Sequence, residues 1–146
     1  MSYPTTIKGQ KWGLRLGDGA SPEVFTTVCG ITTKGLQRTR AVNESQNWDC
    51  DDPDALPLTE REMAAGDWTI SGSGQAVAAE LDRLEDAFDT AANWQLVLMG
   101  TGATIVRSYT GNAIMTDLTL GAVNGEKATI SLTLSGNGAL AKDTTP

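Results

Sequence analysis

Apolar and polar side chains alternate along most of this chain, and the alternation changes period only once. Trp12, Leu14 and Leu16 alternate with Gly13 and Arg15, the period-two sign of a half-buried strand, and Gly17-Asp18-Gly19 ends it. Val24 to Cys29 is β-branched and aromatic, which predicts a second strand joined to the first through Asp18 to Pro22. Thr32, Thr33, Leu36, Thr39 and Val42 support a strand on a sheet edge. Asp49 to Asp54, with four acids and Pro53, reads as a loop, and Thr59 to Met63 as a short helical turn. Asp67 to Gly74 predicts a short strand running into a turn. The period then shifts. Val77, Leu81, Leu84 and Phe88 fall on one helical face, predicting a helix from about Gln75 to Thr90 with Ser73 as its N-cap.

Strand patterning returns after the helix. Trp94 to Met99 is nearly continuously apolar, and Gly100-Thr101-Gly102 breaks it. Thr104 to Tyr109 and Ala113 to Leu120 read as two strands separated at Gly111-Asn112. Asn124-Gly125 is a strong hairpin signal. Beyond it, Ala128, Ile130, Leu132 and Leu134 alternate without a fault with Thr129, Ser131, Thr133 and Ser135. Gly136-Asn137-Gly138 stops that strand and leaves a tail of small residues. Seven or eight strands with glycine-rich turns and one helix predict a mainly β fold, a β-sandwich or small barrel with one flanking α-helix. The four tryptophans divide: Trp68 and Trp94 belong in the core, and Trp48 stands at the mouth of the acidic loop, where an exposed aromatic suits a protein interface.

Composition narrows the chemistry. A chain of 146 residues is the size of one domain, so residues 1–146 are read as a single unit. It contains no histidine, which removes the commonest general base and metal ligand. Cys29 and Cys50 are then without an activating base, and two cysteines do not make a disulfide scaffold; they are read as reduced thiols. Asp49, Asp51, Asp52 and Asp54 invite a metal reading, but an EF-type loop needs glycine at its sixth position, where Asp54 stands. Gly72-Ser73-Gly74 lacks the spacing of a phosphate loop. No catalytic, cofactor-binding or metal-ligating residue is therefore assigned. Nothing at the N-terminus resembles a signal peptide and no window approaches a membrane span.

Charge changes the picture further. Residues 1–40 carry six Lys or Arg against Asp18 and Glu23, and residues 41–90 carry thirteen acids against Arg61 and Arg83. The formal net charge of -7 is thus concentrated in the middle of the chain. It argues against a generic nucleic-acid binder, and the split gives complementary patches suited to contact between copies.

These segments together resemble the major tail, or tail tube, proteins of long-tailed bacteriophages and related gene transfer agents. The resemblance rests on Tyr3 to Leu16 leading into a strand that ends near Gly30, on the excursion from Thr32 to Pro57, and on Trp68 to Gln75 running into the helix. Gly111 to Leu118 with Glu126 to Gly138 complete it. It implies a non-catalytic homo-oligomer, rings of sixfold symmetry stacked into a tube through which DNA passes in transit. It implies tail terminator, distal tail and tape-measure proteins as partners, no membrane, and a place in a virion tail after synthesis in a bacterial cytoplasm. By position, a long loop at about Thr39 to Glu62 and a flexible C-terminal arm at Ala139 to Pro146 would link successive rings. Thr129, Ser131, Thr133 and Ser135, or the Thr and Asp positions between Ala113 and Leu118, are candidates for the lumen lining. The competing expectation is a non-catalytic β-sandwich binding module, carbohydrate-binding, or a head–tail connector.

Overall fold

The computed structural model describes residues 2–102 and 104–144. Among them are eight strands and one α-helix: β1 (Trp12–Gly17), β2 (Phe25–Thr27), β3 (Ile31–Asn47), β4 (Leu58–Gln75), α1 (Ala78–Asp89), β5 (Ala92–Met99), β6 (Ile105–Gly121), β7 (Thr129–Gly136) and β8 (Ala141–Asp143). One curled sheet runs β2-β1-β5-β6-β7-β4-β3, with β8 added on β6. All neighbouring strands are antiparallel. The predicted mainly β architecture with one flanking helix is the observed one.

The sheet can close over a core because β6 belongs to both of its halves. Its first part pairs with β5 up to Ala92–Ala113, and its second part pairs with β7 from Ala113–Gly136. A bulge between Met115 and Asp117 bends the strand where it changes partner, as bulges do at sheet corners. The concave side holds Leu14, Leu16, Ile70, Trp94, Leu96, Met115, Ile130, Leu132 and Leu134, all buried. Helix α1 closes this side through Leu84 and Ala87, with Leu81 packed against them. Arg83 fastens the helix to β2 by donating to the hydroxyl and carbonyl oxygens of Thr26.

Several local expectations are corrected. Three strands, β3, β4 and β6, are far longer than the sequence pattern suggested, and in β4 and β6 this is partly because glycines make room rather than turns. Gly72 and Gly74 lie inside β4, where an added Cβ would meet Ile31 and the Gly30 carbonyl. Gly111 lies inside β6, where a Cβ would meet Trp68 at 2.6 Å. So neither Ser71–Gly74 nor Gly111-Asn112 is a break. Ser73 is a strand residue, and the helix N-cap is Val77, which makes no side-chain cap bond. The helix spans Ala78–Asp89, and Phe88 is exposed rather than packed. The second strand is confined to Phe25–Thr27. Thr59 to Met63 is strand, not helical turn. The excursion expected as a loop at about Thr39 to Glu62 is a paired ribbon over most of its length, with only residues 48–57 outside the strands. Trp68 and Trp94 are in the core as predicted, 4% and 0% exposed.

Candidate assembly interface

Strands β3, β4, β7 and β6 form a sheet whose two faces differ sharply in chemistry. The register sets them row by row. One face carries Leu36, Ile70 and Leu134, then Gly72, Leu132 and Leu118, turned to the core, with Lys34 beside Gly72 at the outer end of the second row. The opposite face carries Gln37, Thr69, Ser135 and Ile114 in one row, Gly35, Ser71, Thr133 and Asp117 in the next, and Thr33, Ser73, Ser131 and Thr119 in a third. Across these rows there is no lysine or arginine, and Ile114 at one corner is the single large apolar side chain. The two candidate sets for a lumen lining, one on β7 and one around Asp117, therefore share one face. Local hydrogen bonds hold its small side chains: Thr119 donates to Asp117 Oδ1 at 3.1 Å, and Thr116, the extra residue at the bulge, donates to the Thr133 carbonyl at 3.4 Å.

The same sheet has two unpaired borders. Strand β3 pairs with β4 only, so its outer side is open from Ile31 to Asn47. At the other border, Ala113 is the last β6 residue that pairs with β5. Residues 114–121 pair with β7 on one side and have no strand on the other. Exposed backbone edges of this length are normally covered or blocked, because each is a template for another strand. Here neither is covered among the described residues.

Outward from Arg40 and Gly66, β3 and β4 leave the body as a two-stranded ribbon. Val42 faces Met63, Glu44 faces Arg61 and forms an ion pair at 2.9 Å, and Asn47 faces Leu58. Every residue of β3 from Gln37 to Asn47 is exposed. A hairpin with no sheet or helix behind it gains little from burial, so this one is built to pack against something else. Its tip presents Trp48, Leu56 and Leu58, 60%, 89% and 75% exposed. Two tip carboxylates serve the turn itself. Asp49 Oδ1 accepts from the Asp51 N–H at 2.8 Å, and Asp52 Oδ1 from the Asp54 N–H at 3.2 Å. Among the described residues the acids do not gather into a metal-holding group. Cys29 and Cys50 are unpaired and exposed.

The tail beyond β7 lies back along the body. Trp68 Nε1 donates to the Gly138 carbonyl at 3.0 Å, and β8 pairs Ala141–Asp143 with Ser108–Thr110 of β6. Thr145 and Pro146, the end of the expected C-terminal arm, lie outside the described residues. Sequence reasoning placed a sheet-edge strand at Thr32 to Val42, which is β3, but missed the open border of β6 and the ribbon. From Gln37 to Asn47 the run has no apolar face, because neither face of the ribbon is buried, and its hydrophobic pattern carries no signal that separates it from a loop.

A β body with one apolar and one small-polar sheet face, bounded by two open edges and carrying an unsupported hairpin, is a structural subunit made to be continued by its own copies. The chain belongs to the phage tail tube protein family, whose sequence model matches residues 6–142. It is a tube component and not an enzyme. No curated protein matches the sequence. Among solved structures, a chain of the tail of an empty gene transfer agent particle, refined with C6 symmetry, has 17% identity and a TM-score of 0.72, covering 93% of this chain and 98% of that one. A chain from the virion of a native gene transfer agent particle has 16% identity and a TM-score of 0.70, over 94% and 99%. The SPP1 tail tube protein has 15% identity and a TM-score of 0.66, over 96% and 80%. At these identities the likeness is one of fold.

Proposed function

We propose that this protein forms rings, six subunits each, by joining β6 residues 114–121 of one copy to the open side of β3 in the next, and that the rings stack into a DNA-conducting tube. The observation that carries this reading is the pair of open borders on one polar-faced sheet. Its four strands are successively antiparallel, so β3 and β6 run in opposite directions. Rotation about a tube axis preserves direction along that axis. The junction between copies is then also antiparallel, and the polar face continues across it. Four strands from each of six copies give a closed barrel of about 24 strands. At ~4.8 Å per strand and a tilt of ~40°, its diameter is about 5 nm. The sixfold count is taken from the gene transfer agent tail of like fold.

The rows of Ser, Thr and Gly with Asp117 then face the lumen. Such a wall offers phosphate no lysine or arginine and so lets a duplex slide. The exposed ribbon and the C-terminal tail are the elements that link one ring to the next. Tail terminator, distal tail and tape-measure proteins are the partners such a tube meets at its ends and inside, and its place is the tail of a phage-like particle made in a bacterial host. Electron microscopy of the concentrated protein tests the reading, with rings or tubes about 10 nm across as the expected result. A single proline at whichever of the neighbours Thr119 and Leu120 turns its N–H to the open border rather than to β7 is expected to leave the β6–β7 ladder intact and abolish rings. Protein that stays monomeric at every salt concentration, or rings that survive that proline, would refute it.

A further inference from the structure

At the root of the ribbon lies a cleft of about 560 Å³ lined by Arg38, Arg40, Asp67, Trp68, Ala139 and Leu140. The Asp67 carboxylate accepts from the Trp68 N–H at 2.8 Å and is in no ion pair with either arginine among the described residues. Trp68 forms one wall, held by its bond to the Gly138 carbonyl, and the C-terminal tail forms the other. Arg40 donates to the Ala64 carbonyl at 3.2 Å and lies close over Gly66, where a Cβ would sit 3.4 Å from its guanidinium. That bond fixes the side chain without neutralising it. The Arg38 side chain makes no hydrogen bond, and neither arginine makes an ion pair, among the described residues. In the ladder, Arg38 stands opposite Trp68 and Arg40 opposite Gly66. Both arginines therefore project on the core side of the sheet, away from the polar face, and a duplex passing along that face would not meet them.

Two guanidiniums without counterions beside an indole form a site for carboxylates flanked by apolar side chains. The tip of the ribbon has that composition. Residues 48–57 contain Asp49, Asp51, Asp52 and Asp54, no Lys or Arg, and the exposed Trp48 and Leu56. None of the four carboxylates is in an ion pair among the described residues. A tip cannot reach its own root, because the paired strand from Arg40 to Asn47 spans about 23 Å. We infer that the Arg38/Arg40 cleft receives the acidic ribbon tip of a second copy, one ring along the tube. This rests on the tube reading above, and it assigns the receptor surface for the ribbon, as well as one use of the basic and acidic halves of the sequence.

The first test is a cross-link that uses the native thiol at the tip. Ala139→Cys with Cys29→Ser, a change at an exposed position of the cleft wall, is assembled into tubes and oxidised. Inter-subunit disulfides are expected, and their loss on adding Cys50→Ser. The second test is charge exchange. Arg38→Glu with Arg40→Glu is expected to leave rings but lower the fraction of protein in tubes at least tenfold, and Asp51→Lys with Asp52→Lys and Asp54→Lys to restore tubes in that background. Tubes that assemble without cross-linking, or that are unaffected by Arg38→Glu/Arg40→Glu, would overturn this inference alone. Binding of a duplex oligonucleotide that depends on Arg38 and Arg40 would overturn it in favour of a phosphate site. Wild-type protein that forms no ring would overturn the tube reading and this inference with it.

Discussion

Trp68 shows how single residues prepare the body for assembly. Its ring lies flat over positions 111 and 136, and both are glycine. A Cβ at Gly136 would run into the indole at Cε2, Nε1 and Cδ2. Trp68 is 4% exposed and its Nε1 is bonded, so it cannot swing away without losing core contact and a hydrogen bond. Gly136→Ala is therefore expected to destabilise the monomer by about 1–3 kcal/mol, as overpacking does, measured by urea unfolding. Asp18 makes a different kind of contribution. Its Oδ1 accepts from the Ala20 N–H at 2.9 Å and the Val24 N–H at 3.1 Å, closing the β1–β2 connection. These bonds, Ala20's first, hold its pKa below the usual carboxylate value. A lowered folded-state pKa means stability that is present above the unfolded-state value, about 3.9, and is lost as pH falls toward the folded one. Asp18→Asn should lower the melting temperature at pH 7, and the difference from wild type should shrink progressively below pH 4. A difference of the same size at pH 2.5 would show that the turn does not depend on the charge.

At the scale of elements, the ribbon is separable from the body. Beyond Arg40 and Gly66 its strands pair only with each other, and their side chains are exposed. Replacing Asn43 to Glu62, which face each other in the register, by Asn-Gly keeps Val42 opposite Met63 and supplies a two-residue hairpin turn. The shortened protein should melt within a few degrees of wild type and form single rings, with no tubes on electron microscopy. Long tubes from it would place ring-to-ring contact elsewhere. What was legible in the sequence follows the same division. Where one face is buried, as in Thr129 to Ser135 or the stripe of Leu81 and Leu84, the period was plain and the element was found. Where both faces are exposed, as from Gln37 to Asn47, nothing in the hydrophobic pattern distinguishes a strand from a loop. Glycine misled for a related reason. Gly72, Gly74 and Gly111 read as punctuation, but they serve close approach between packed elements, and only the fold reveals what approaches them. The candidate lining on β7 could be named from alternation alone. That it continues across β4 and β3, and that Asp117 shares its face, depended on register.

For the molecule as a whole, the decisive question is which side of the sheet meets DNA, and charge decides it. The face of β3, β4, β7 and β6 opposite the core has no lysine or arginine in its three paired rows, whereas the basic residues of the first forty lie elsewhere, two of them at the ribbon root. If that face lines the tube, adding cations to it should convert a passive wall into a binding one. Ser131→Lys with Thr133→Lys places two ammonium groups per copy on β7, twelve per ring for six copies, at positions that stay half-buried in the single chain. Counterion release makes the result strongly salt-dependent: each neutralised phosphate contributes about -0.9 to the slope of log K against log salt. Wild-type tubes are expected to retain no linear duplex at about 50 mM salt. Variant tubes should retain it and release it as salt rises toward about 200 mM. A closed circular plasmid supplies the control for location, because a circle cannot thread a tube. Retention of linear but not circular DNA would put these positions inside. Equal retention of both would put the polar face on the outer surface of the tube, and the sheet would then have to be turned the other way round in the ring.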